Sequence, residues 1–183
     1  KIGRLETRAR SPMPDPFPAR DDVFAALEPW CSPESWLSEA GGLGPWLTWR
    51  GSLTEALRRS CRTNVQLSVH RRARVAVPAT GAHLLGLAEG TEVLQREIWL
   101  LCGDHPMVFG RSWIPEGALA DPGDYPLGDW LFEPGSGAER LSLEAAPVVG
   151  ARGERRLARR ALHATPRGRL LVGEVLLPAM ETL

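Results

Sequence analysis

Residues 91–115, TEVLQREIWLLCGDHPMVFGRSWIP, read as two strands joined by a tight turn. The first half alternates strictly. Val93, Gln95, Glu97, Trp99 and Leu101 fall on one face, and Leu94, Arg96, Ile98, Leu100 and Cys102 on the other, the two-residue period of a β-strand. Gly103-Asp104-His105-Pro106 is rich in turn formers, and an apolar return strand runs from Met107 to Ile114 before Pro115 ends it. This hairpin places Arg96 on an apolar face. A buried guanidinium is costly unless it meets a carboxylate or an anionic ligand. The alternative is snorkelling, with the stem on apolar neighbours and the head in water.

A chain of 183 residues is read as one domain with a single core. Lysine plus arginine equals aspartate plus glutamate, 22 each, so no global field recruits nucleic acid or an anionic membrane and any partner is recognised locally. All the basic residues except Lys1 are arginines. Cys31, Cys61 and Cys102 form neither a CxxC pair nor a metal-ligand rhythm, which predicts reduced thiols and a cytoplasmic location. No apolar run approaches the ~20 residues of a membrane span, so no membrane insertion is expected. The four histidines, His70, His83, His105 and His163, have no ligand spacing, and no serine or cysteine triad can be built from them. Neither metal nor covalent catalysis is expected.

Working outward, residues 1–20 carry charges and then Pro12, Pro14, Pro16 and Pro18, the composition of a tail; the domain is read as 21–183. Short helices are predicted over 21–27 and from Ser32, with Ser32 as N-cap and Pro33 at the first helical position. Ser52-Leu53-Thr54-Glu55 is a capping box, so the amide of Leu53 lies in the first turn of a helix, where free amides and the helix dipole suit a carboxylate. Residues 64–70 alternate as a strand with one wet face, and 71–74 continue or bulge it. Residues 78–90 connect to the central hairpin. Pro126-Leu127-Gly128-Asp129-Trp130-Leu131-Phe132 leads into a short helix. A second hairpin is predicted from 155–164 and 169–177, with its turn at Thr165-Pro166-Arg167-Gly168. In its last strand Leu170, Val172, Glu174 and Leu176 share a face. Glu174 therefore either pairs with an internal arginine or waits for a ligand, with a raised pKa unless a cation compensates. The arginines at 152, 155, 156, 159, 160, 167 and 169 are read as a solvated strand face, because no aromatic stacking motif interleaves them.

Four segments, in order, resemble the chorismate pyruvate-lyase family. They are Gly51-Ser52-Leu53-Thr54; Arg96-Glu97-Ile98-Trp99-Leu100-Leu101-Cys102 with Gly110-Arg111-Ser112-Trp113-Ile114-Pro115; Pro126 to Phe132; and Gly173-Glu174-Val175-Leu176-Leu177-Pro178. The resemblance covers nearly everything after residue 28. It implies an α+β single domain, with an antiparallel sheet of about six strands, helices packed around it and a product pocket under flaps. It also implies a cofactor-free, monomeric enzyme that converts chorismate to 4-hydroxybenzoate and pyruvate for ubiquinone synthesis. Arg96 and Glu174 match the family's functional residues, and Leu53 and Leu127 match positions where backbone binds the product. The run Leu157-Ala158-Arg159-Arg160-Ala161 departs from the family's aromatic-small-Arg-Arg-Ser pattern. The alternative function is a non-catalytic sensor of small anions related to UTRA effector-binding domains; 1–30 is too short and proline-rich for the helix-turn-helix domain such a regulator carries.

Overall fold

The structure, a computed structural model, describes residues 16–20, 22–119 and 122–183. Six strands, β1 (Val65–Ala76), β2 (Glu92–Cys102), β3 (His105–Ile114), β4 (Glu139–Val149), β5 (Arg155–Thr165) and β6 (Gly168–Leu176), form one antiparallel sheet in the order β1-β2-β3-β6-β5-β4. Both predicted hairpins are present. In the first, Cys102 pairs with His105 around Gly103-Asp104, and Gly103 takes the positive φ of +60° that the tight turn needs. In the second, Thr165 pairs with Gly168 around Pro166-Arg167. β3 and β6 pair with each other, so the two hairpins join along the middle of the sheet. β1 is a half-wet edge strand whose register shifts between Val69 and Arg71.

Among the described residues, five short helices flank the sheet: α1 (Leu37–Ala40), α2 (Gly44–Leu47), α3 (Leu53–Ser60), α4 (Ala79–Leu85) and α5 (Leu127–Leu131). The capping box forms as read, with Ser52 Oγ accepting from the Glu55 amide at 3.2 Å. α4 lies inside the stretch read only as a connection. Of the described residues, no helix is long and apolar enough to cross a membrane.

Several expectations are corrected. Residues 22–27 are not a helix: the amide of Ala25 bonds to Pro18 O, and Ala26 and Cys31 bridge Val148 and Ala145 on β4. Their backbone groups are spent covering the outer edge of β4, with Leu27 N donating to Pro147 O. Ser32 and Pro33 take the N-cap and first helical positions as read, but the Ser32 side chain makes no capping bond to a backbone amide. Its hydroxyl bonds to the Glu34 carboxylate, and Pro33–Trp36 is a 3₁₀ turn ahead of α1. Phe17, within the stretch read as a tail, is 3% exposed and packs on Phe24 and Phe109; residues 1–15 lie outside the described residues. Cys61, which ends α3, and Cys102, which ends β2, are joined in a disulfide with Cα atoms 5.9 Å apart, while Cys31 is free. The pairing of Val65 with Cys102 brings together two cysteines 41 residues apart. The cysteine argument for a reducing compartment therefore lapses.

Both faces of the sheet are covered. On one face Val23, Phe24, Val77, Ala82 and Leu85 pack over Phe109, Trp113, Leu171 and Val175. Phe24 comes so close that a side chain at Gly173 would lie 2.7 Å from its ring. Glu97 and Arg111 are fully buried here. Glu97 Oε1 accepts from Arg111 Nε at 2.9 Å and Gln95 Nε2 at 2.8 Å, Gln95 Oε1 accepts from Trp113 Nε1, and Arg111 Nη1 donates to Val23 O. The guanidinium carbon lies 5.2 Å from the Phe24 ring centre and 5.6 Å from that of Phe109. This pair ties residues 22–24 to the middle of the sheet. Removing one member strands a buried charge, at a cost of about 3–5 kcal/mol. Arg111→Met is therefore expected to lower the unfolding free energy by about that amount in urea titrations, and the double variant Glu97→Leu/Arg111→Met to recover more than half of the loss. A double variant as unstable as the single one would show that packing, not charge, sets the cost.

Candidate active site

The strand alternation that sends Glu97 to one face sends Arg96 to the other, where β2, β3, β6, β5 and β4 form the floor of a cleft. The starts of α3 and α5 roof it. They meet closely: a Cβ at Gly128 would lie 2.7 Å from Ser52 Oγ, and Arg58 of α3 grips Asp129 of α5 through two hydrogen bonds of 2.7 and 2.8 Å. The cleft holds about 640 Å³ free of protein atoms, its mouth included. Its apolar lining comes from Ile98, Leu100, Val108, Val172, Leu131 and Leu143. Arg96, Leu53, Leu127 and Glu174, the four positions singled out from the sequence, all line it.

Arg96 is 1% exposed, which rules out the snorkelling alternative. Its Nε and Nη2 donate to the carbonyls of Gly123 and Tyr125 at 3.2 and 2.8 Å, fastening the loop before α5 to the sheet. Glu174 has the arginine partner that the sequence left open. Arg159 Nε donates to Glu174 Oε2 at 2.7 Å, and Arg159 Nη1 reaches the carbonyls of Trp46 and Trp49. The two guanidiniums thus play parallel roles, each holding one covering segment by its carbonyls. Leu53 opens α3 and is 2% exposed; Leu127 opens α5 and is 6% exposed.

Sequence reasoning missed three residues of this cleft, Arg140, Arg159 and His163. The arginines of β5 are not all solvated: Arg159 and Arg160 are 3% and 7% exposed. β5 is an interior strand covered on both faces, so alternation sends Arg159 to the cleft and Arg160 to the other side, where it pairs with Asp22 and Glu144 and stacks on Trp30. The usable signal was the alternation of Leu157, Arg159, Ala161 and His163 against Ala158, Arg160 and Leu162. Arg140, opposite His163 in the ladder, has its guanidinium carbon 5.8 Å from the ring centre of Phe132. Burial, then the charges of Arg159 and Arg50, lower its pKa.

His163 is buried beside Arg140 and Arg159. Desolvation first, then these two charges, push its pKa down to about 4, so the imidazole is neutral across the physiological range. The cleft therefore offers three guanidiniums, one carboxylate, one neutral imidazole and an apolar wall, a set suited to holding a small anionic ring. Among the described residues no group of histidine, cysteine, aspartate and glutamate side chains is placed to hold a metal.

The depressed pKa of His163 has a stability consequence. Between pH 6.5 and about 4 the unfolded chain protonates this histidine and the folded chain does not, so stability falls as pH falls through that window. The loss by pH 4.5 amounts to about 2 kcal/mol. The decrease in unfolding free energy from pH 7 to pH 4.5 is expected to be smaller by that amount in His163→Gln; equal decreases in both proteins would mean that His163 titrates normally.

A family model described as chorismate lyase matches residues 28–182. Curated relatives include a probable chorismate pyruvate-lyase of Marinobacter nauticus, 35% identical over 74% of this chain and 76% of its own length. A chorismate pyruvate-lyase of Yersinia enterocolitica is 32% identical over 82% and 89%, and a probable chorismate pyruvate-lyase of Chromohalobacter salexigens 33% identical over 91% and 94%. Among solved structures, a GntR-family transcriptional regulator from Bacillus cereus superposes with a TM-score of 0.52 at 10% identity, covering 64% of this chain and 94% of its own. The effector domain of PhnF from Mycobacterium smegmatis superposes with 0.51 at 13%, covering 70% and 90%. Those two likenesses concern the fold alone. With the family model spanning the sheet, both covering helices and every residue of the cleft, the chain belongs to the chorismate lyase family.

Proposed function

We propose that this chain is a chorismate lyase that eliminates pyruvate from chorismate to give 4-hydroxybenzoate. The observation that carries the reading is the convergence of Arg96, Leu53, Leu127 and Glu174 on one apolar-walled cleft. The substrate is a small dicarboxylate with a reduced ring. Arg96, held against the cleft by two carbonyls, would present its guanidinium to the ring carboxylate, and the first-turn amide of Leu53 adds a donor at the positive end of α3.

Chemically, the ether carbon–oxygen bond breaks and its electron pair leaves with the enolpyruvyl fragment. The hydrogen on the neighbouring ring carbon departs as a proton, and the pair left behind completes the aromatic ring. The departing fragment takes up a proton to become pyruvate. Glu174 Oε2 is engaged by Arg159, which leaves Oε1 for the ring, either to accept that proton or to hold the 4-hydroxyl. Arg159 sets the direction of that carboxylate. Ile98, Val172 and Leu143 keep water from the ring, so the charge interactions act in a low dielectric. A concerted internal hydrogen transfer would leave Glu174 with orientation alone. The sensor alternative has only the shared fold in its favour.

The assay is direct: purified protein with chorismate, no metal or nucleotide added, is expected to yield 4-hydroxybenzoate and pyruvate in equal amounts, and no turnover would overturn the proposal. Arg96→Ala is expected to weaken 4-hydroxybenzoate binding by about 100-fold, the worth of a charge-assisted bidentate pair, by calorimetric titration; unchanged binding would remove Arg96 from the site. Glu174→Gln is expected to keep product binding within about fivefold while kcat falls by about 10²–10⁴. A fully active variant would leave Glu174 an orienting group.

A further inference from the structure

Arg140 has no role in the reading above, yet its placement is unusual. It projects from β4 into the cleft with its guanidinium against Phe132, and no hydrogen bond or ion pair joins it to another described residue. The other cleft arginines are anchored, Arg159 by Glu174 and two carbonyls, Arg96 by two carbonyls. Arg140, Arg159 and Glu174 together leave one positive charge uncancelled, since His163 beside them is neutral. A surplus cation in a partly desolvated place is unfavourable until an anion arrives. Burial and the neighbouring charge of Arg159 already disfavour its charged form.

Position in the sheet points to the same ligand. Arg96 is on β2 and Arg140 on β4, with β3, β6 and β5 between them, so the two strands lie four spacings apart, ~19 Å. Two long side chains reaching inward from those strands narrow the gap to the span of a small dicarboxylate. Glu174, on β6, lies between them.

We propose that Arg140 anchors the second carboxylate of the substrate, the one that departs with pyruvate, so that the cleft grips a dicarboxylate by Arg96 at one end and Arg140 at the other. This rests on the lyase reading above and extends it. The carboxylate takes donors from Arg140 and, beside it, from the neutral imidazole N–H of His163, while the Phe132 ring keeps the guanidinium in place. 4-Hydroxybenzoate carries only the ring carboxylate and makes no use of Arg140, so the grip at this end is lost when the ether bond breaks.

The test compares two probes by calorimetric titration of the whole protein: 4-hydroxybenzoate, with one carboxylate, and 3-carboxymethoxybenzoate, a stable dicarboxylate whose second carboxylate hangs from a ring ether. Arg140→Gln is expected to weaken the dicarboxylate by about tenfold or more and to leave 4-hydroxybenzoate within twofold, with an unchanged melting temperature. Arg140→Lys is expected to recover part of the dicarboxylate affinity. In steady state the chorismate KM of Arg140→Gln rises while inhibition by 4-hydroxybenzoate does not change. Parallel loss of both probes, or loss of neither, would overturn the proposal. Failure of the lyase reading appears separately, as wild-type protein that does not turn over chorismate.

Discussion

Consecutive residues Arg96 and Glu97 are both buried, on opposite faces of a central strand, and the fold is arranged around keeping those two charges apart. Strand alternation makes it impossible for one to neutralise the other, so each needs its own setting. Glu97 receives Arg111 and Gln95, and the Arg111 guanidinium lies over the rings of Phe24 and Phe109 and donates to Val23 O, a buried cluster that fastens residues 22–24 to the sheet. Arg96 holds the loop before α5 and lines the cleft. A sheet covered on one side only could leave one of the pair in water. This sheet is covered on both, so one charge joins a packed cluster and the other lines the cleft.

The cleft face repeats one device. A strand arginine donates to main-chain carbonyls of a covering segment, Arg96 to 123 and 125, Arg159 to 46 and 49. The segments over the cleft are therefore pinned by the same cations that line it. The disulfide from the end of α3 to the end of β2 anchors the other end of the roof helix.

The central features were legible from local pattern. The period-2 alternation with turn residues at 103–104 and 165–168 marks both hairpins, the capping box marks α3, and Arg96 and Glu174 stand out as charges in apolar rows. Leu53 was marked only by the free first-turn amide of the capping box, and Leu127 became a candidate only through the family resemblance, since an apolar residue that serves by its backbone has no side-chain signal. What escaped depends on long-range pairing. Residues 22–27 have a helical pattern, yet their backbone completes the edge of β4. Arg159 and Arg160 are buried because Glu174, Glu144 and Asp22 meet them from distant parts of the chain. Arg140 and His163 enter the cleft only because β5 lies beside β6 and β4 beside β5, an order that no local pattern specifies.

The central claim is that one small aromatic acid sits with its carboxylate at Arg96 and its opposite end at Glu174. A crystal structure of the protein with 4-hydroxybenzoate tests it most directly. The account predicts the product carboxylate within hydrogen-bond distance of the Arg96 guanidinium and the Leu53 amide, its hydroxyl beside the Glu174 carboxylate, and its ring against Val172 and Ile98. A product bound elsewhere, or turned so that its carboxylate meets Arg159 instead of Arg96, would contradict it.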